Sequence, residues 1–418
     1  MKLLVKGARL ISAADGLDRT GDLLIEDGKI AAIGENLTVD ESGEELNAAG
    51  LCLGTGLVDL FAHATEPQEE NVEDILSLSA AAAAGGYTAV CVDTGAHTAE
   101  QIQYIRERGE YASCDILPAV KATLGRELLN YGELKLAGAA AVYDDEGIDN
   151  PLRMRDVMFR ARKHNMLLLD RCRDRRLYRE GIIREGQQAL LLELPIIPAS
   201  AESTVVARDI ILAKESGSPL HIGHISTAGA VEVVRLAKAQ GVPVTCSTEP
   251  HYFALESREL LGYNTLAKLD PPLGTPEDIA ALRAGLADGT IDCIASGHTP
   301  VTAAGKYRSL VTAESGASSL ETALSAALTY LYHNGAMPLA DILHRMSAAP
   351  AALLGLDIGL RVGAVADLVL FDPDAEWVCE GKSFVSQGKN TPFEGKTLRG
   401  RVTYTLKSGR ILAKDGGQ

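Results

Sequence analysis

Three histidines close short apolar runs: Asp59-Leu60-Phe61-Ala62-His63, His221-Ile222-Gly223-His224 and Ser296-Gly297-His298. If these runs are strands pointing the same way, His63, His224 and His298 share one rim. Three converging imidazoles suit zinc and leave it an open coordination position; without a carboxylate or fourth ligand, the simpler reading makes each a singly hydrogen-bonded rim residue. A fourth run ends in Asp144 and Asp145, followed by Glu146. One of these can serve as a carboxylate ligand or general base, or as a turn or helix-capping residue, since a helix opens after Pro151. A fifth run leads into Asp170-Arg171-Cys172-Arg173-Asp174-Arg175-Arg176. Guanidinium groups cannot coordinate and repel cations. The segment therefore reads as an anion site or as an ion-pair cluster with Asp170 and Asp174. For Arg173, Arg175 and Arg176 a solvated, salt-bridged loop is the simpler reading.

The elements that must carry these residues alternate. Eight apolar runs (GLVDLF, YTAVCVD, DILPAV, GAAAVYDD, MLLLDRC, PLHIGHIS, VPVTCSTEP and DCIASGH) are separated by helical stretches. One of these, VEDILSLSAAAAAGG, ends on Gly85 and Gly86, a C-cap signal. Eight β-α units over about 300 residues predict an α/β fold, a (β/α)8 TIM barrel spanning 55–360, with its chemistry at the C-terminal strand ends. Residues 1–54 and 361–418 are strand-like, with hairpin signals at Asp27-Gly28 and Ser408-Gly409. They predict one composite β-sandwich domain built from both chain ends.

Composition narrows the partners. The 418 residues carry a net charge of -16 and a pI near 5.1, which excludes a phosphate-backbone partner. No run approaches the length of a membrane span, and the opening MKLLVKGARLIS reads as a strand, not a leader. Seven cysteines without CxxC spacing predict reduced thiols and a cytoplasmic setting.

The segments AAAAGGYTAV, LPIIPASAESTVVARDIILAKESGSPLHIGHISTAGAVEVVRLAKAQGVPVT, LDPPLGTPEDIAALRAGLADGTIDCIASGHTP, SLETAL, ADLVLFDPDAEW and KNTPFEGKTLRGRV resemble the dihydroorotases of the amidohydrolase superfamily along nearly the whole chain. The resemblance implies zinc-assisted opening or closing of dihydroorotate in pyrimidine biosynthesis. It also implies losses. The first-strand His-x-His is Phe61-Ala62-His63. Thr65 replaces a substrate-binding Arg, Thr94 an Asn, and Arg171 a strand-five His. Asp270 replaces an Asn before two prolines, Gly274 an Arg, and Gly297 the catalytic Asp. His63, His224 and His298 still match, with Asp145 as the strand-four carboxylate.

These departures predict a pseudoenzyme with no catalytic residue and no metal. Its implied role is as a structural partner of aspartate carbamoyltransferase, as a homodimer. The competing expectation is a cyclic amide hydrolase using one zinc held by His63, His224 and Asp145. A third is a module holding an anionic metabolite near Arg171. Gly305 and Gly316 give the segment 301–319 the freedom of a loop that closes on substrate.

Overall fold

The computed structural model describes residues 2–68 and 70–414. All eight predicted runs form parallel strands of one sheet: Leu57–His63, Tyr87–Asp93, Asp115–Lys121, Ala141–Asp144, Leu167–Asp170, Leu220–Ile222, Val244–Thr248 and Cys293–Ile294. They pair in chain order. A parallel bridge between Ala62 and His298 joins the last strand to the first, and the His63 amide donates to the His298 carbonyl at 2.8 Å. The barrel is therefore closed, and its C-terminal rim gathers the residues that end each strand.

Helices start where side chains can cap them. Asp74 and Ser77 form a capping box at Ile75–Ala84, and Asn150 caps Pro151–Lys163, whose first residue is proline; both arrangements satisfy amides that would otherwise be unpaired. The alanine-rich helix ends on Gly85, and Gly86 takes the left-handed conformation at φ +91°.

Both chain ends enter a second, mixed sheet of eight strands. Cys52–Thr55 runs antiparallel to Leu368–Val378 and so joins the N-terminal strands to the C-terminal ones. Hydrogen bonding connects all eight strands in one sheet, with Lys2–Ser12 pairing to three neighbours. Its own core holds Leu3, Leu10, Leu23, Leu53, Leu368 and Leu406. Both expected hairpins are present. Asp27-Gly28 and Ser408-Gly409 have positive φ at both central residues, which matches the twist of tight two-residue turns. No helix among the described residues is long and apolar enough to cross a membrane.

Candidate functional site

The rim encloses a cavity lined by His63, Asp93, Tyr143, Asp145, Arg171, His224, His251, Asp270 and His298, with Phe61 and Gly297 in its wall. All three histidines from the strand ends face it, as does Asp145. Asp144 does not: it turns away, accepts the Gly147 and Ile148 amides at 3.1 and 2.8 Å, and closes the loop. The two carboxylates thus divide the two roles read from the sequence.

At the end of the fifth strand, Arg171 donates to Asp145 Oδ1 through Nη1 at 2.8 Å and to the Asp270 carbonyl through Nη2 at 2.6 Å. Nη2 also lies 2.8 Å from Asp270 Oδ2. Asp270 takes further bonds from Arg173 at 2.8 Å and from the Tyr178 hydroxyl at 2.7 Å. The partners of Arg171 are therefore Asp145 and Asp270, not Asp170 and Asp174. Asp174 caps a short helix by accepting the Arg176 and Leu177 amides. Arg173 also departs from the expected solvated loop, because its guanidinium is part of the site, whereas Arg175 is exposed beside Glu146. Desolvation in the cavity opposes ionisation of Asp270 and of the half-exposed Asp145, yet Arg171 holds both carboxyl groups below their ordinary range. An anionic metabolite would have to compete with carboxylates already seated on these guanidiniums.

The Phe61 ring lies 4.5 Å from the His224 ring and 5.5 Å from that of Tyr143, centroid to centroid. The Tyr143 hydroxyl donates to Asp145 at 3.1 Å and faces His224 Nε2 at 3.1 Å. His224 Nδ1 lies 2.9 Å from the fully buried Glu249 carboxylate. His63 pairs with Asp93 at 3.5 Å; burial opposes its charging, but Asp93 raises its pKa overall. His298 accepts the Ser319 amide on Nδ1 at 3.1 Å, leaving Nε2 toward Glu73 at 3.7 Å. Thr65 meets the backbone of Glu73, and Thr94 lines a neighbouring cleft. Gly274 stands outside the cavity, against Asp278.

Zinc needs donors at about 2 Å from a shared point. Among the described residues, one set of at least three donor atoms lies within 4.8 Å of one another: Asp170, Cys172 and Asp209, buried behind the rim. His63, His224 and Asp145 do not form such a set. Asp145 is bound to a guanidinium, and Phe61 packs on His224. The residues at the rim do not fit a zinc pair.

Sequence reading missed Glu249, His251 and Tyr143. Glu249 falls at the end of the seventh apolar run and Tyr143 inside the fourth. Only the buried placement of both, with Glu249 beside His224, marks them as parts of the site.

A closed (β/α)8 barrel with chemistry-bearing side chains at its C-terminal rim and a terminal β-sheet domain is the architecture of the metal-dependent cyclic amide hydrolases. Residues 50–230 match the dihydro-orotase-like family and residues 197–412 the amidohydrolase family. The chain is 40% identical over 422 residues to a dihydroorotase of Pelobacter propionicus, covering 99% of both chains. It is 41% identical over 428 residues to one of Syntrophus aciditrophicus, covering 99% of this chain and 100% of that one. The L-hydantoinase of Arthrobacter aurescens superposes with a TM-score of 0.87 at 23% identity, over 99% of this chain and 96% of that one. The chain belongs to the dihydroorotase-like amidohydrolases.

Proposed function

We propose that this chain is a dihydroorotase-type protein of pyrimidine metabolism that does not hydrolyse dihydroorotate and serves instead as a structural partner of aspartate carbamoyltransferase. One observation carries the loss of activity: the Arg171 guanidinium binds Asp145 and Asp270 in the place where the resemblance puts a zinc-binding histidine. A fixed positive charge seated on the remaining carboxylate leaves no room for a cation. The position of the general base is Gly297, and a lost general acid-base group costs about 10²–10⁴ in rate. Activity with a single metal on His63, His224 and Asp145 is the competing reading; it needs those donors to converge and Arg171 to swing away. The assembly role rests on the resemblance and on a scaffold kept intact around an altered rim. A homodimer in the cytoplasm is part of the same proposal, in keeping with seven buried, unpaired cysteines.

The test is metal analysis of the purified chain with dihydroorotate turnover on the same sample, followed by mixing with aspartate carbamoyltransferase. Expected are substoichiometric zinc, no turnover, and co-elution at micromolar concentration. Stoichiometric zinc with turnover would overturn the loss of activity. Separate elution would overturn the assembly role.

A further inference from the structure

Gly297 is more than a deletion. Its backbone sits at φ +63°, and a Cβ placed there would come 2.5 Å from Glu249 Cγ and 3.1 Å from His251 Cε1. The space next to the end of the eighth strand is thus filled by a side chain from the end of the seventh. Glu249 precedes Pro250, the first residue of the helix Pro250–Ala254, and its side chain makes no capping bond there. It turns inward instead and is fully buried. Its carboxylate lies 2.9 Å from His224 Nδ1, off the line of a well-aligned hydrogen bond. A buried carboxylate without a partner is costly, and the His224 ring nitrogen is the polar group beside it. His224 is itself held in the left-handed region at φ +57°, a conformation that persists only where surrounding contacts enforce it.

We infer that Glu249 is a relocated carboxylate: it takes the volume of the missing strand-eight acid and anchors His224 in an orientation that excludes a metal. It acts as a positioning residue through His224. The inference stands on packing at Gly297 and does not depend on the partner proposed above. Restoring the strand-eight acid alone must then fail for a steric reason. Restoring zinc must require removal of Glu249 as well as replacement of Phe61 and Arg171.

The experiment is a double-mutant cycle. Gly297→Asp is expected to lower Tm by roughly 1–3 °C, the scale of an overpacked core position in a chain of this size. Adding Glu249→Ala is expected to recover part of that loss, because the clash goes while the backbone strain at 297 stays. Additive effects of the two substitutions would overturn the inference. In the same series, F61H/R171H/G297D is expected to purify without zinc, and the same variant with E249A to bind it. Zinc retained with Glu249 intact would also overturn it. A third measurement needs only single, mild changes. The ¹⁵N signals of the His224 ring are expected to shift in Glu249→Gln and to keep their wild-type pattern in Glu249→Asp. Unchanged signals in Glu249→Gln would show that the pair does not exist.

Discussion

At the scale of single residues, the rim is a case of paired departures. Arg171 and Asp270 each replace a group that the family resemblance assigns to zinc or substrate, and the two now bind one another at 2.8 Å. Arg173 and Tyr178 complete the shell around Asp270. A guanidinium offers planar, divergent donors that an ammonium does not, so the two carboxylates it spans cannot be served by lysine. Arg171→Met is expected to destabilise the chain by about 2–4 kcal/mol, the range for breaking a largely desolvated pair by removing one partner, lowered here because Asp145 is half exposed. Arg171→Lys should recover less than half of that loss. Urea denaturation of the three proteins measures both quantities. Equal stability of wild type and Arg171→Met would mean that the cross-link is ornamental and the rim free to open.

At the scale of elements, the segment after the eighth strand is pinned. Its Gly305 and Gly316 predict freedom, but two buried lysines cross-link it to the segment after strand seven. Lys268 donates to the carbonyls of Val311 and Ala313 at 3.0 and 2.7 Å, and Lys306 to those of Thr265 and Lys268 at 3.2 and 2.9 Å. Burial, with Lys268 close by, pulls the Lys306 pKa down from 10.5 to about 7. Between these values the unfolded chain holds more protons than the folded one, so stability rises with pH across that window. Relative to Lys306→Met, the wild type should gain stability from pH 7 to pH 10 and show a constant difference below pH 6. Denaturation midpoints across pH test this; a flat difference throughout would mean that Lys306 titrates normally. The strands themselves were legible in the sequence, because apolar runs of four to eight residues bounded by helical stretches leave few alternatives. So were the hairpins at Asp27-Gly28 and Ser408-Gly409, where turn chemistry is local. Beyond Arg171 with Asp145, the pairing of rim residues was not. Arg173 with Asp270 and Glu249 with His224 are contacts across 97 and 25 positions, and a charged residue on a rim carries no local sign of which neighbour it will meet. The segment 301–319 misled for the same reason, since its lysine anchors come from another part of the chain.

At the scale of the whole molecule, the terminal sheet and the barrel are joined by contacts that neither would make alone. The Thr405 hydroxyl donates to the Ala83 carbonyl and Ser325 to the Gly400 carbonyl, both at 2.6 Å. These bonds tie the strand Thr397–Lys407 to helices packed on the barrel. Lys407 bridges Asp115, at the start of the third barrel strand, and Asp367, at the entry to the terminal sheet, at 2.6 Å to each. Leu57, the first residue of the barrel, follows within two positions of Thr55, the last of a terminal-sheet strand. At that crossing no linker separates the two sheets, and with these bonds their unfolding should be coupled. One calorimetric transition is therefore expected, with amides of Leu368–Val378 and of Tyr87–Asp93 exchanging at similar protection. Lys407→Met should lower that transition by about 1–2 kcal/mol, since the ammonium is largely buried between two carboxylates of which one is half exposed. The decisive outcome is the shape of the melt, more than its position. A single transition that shifts as a whole means that the altered rim sits on one cooperative scaffold, whereas a melt that splits in Lys407→Met would show that this bridge had been holding two independent units together.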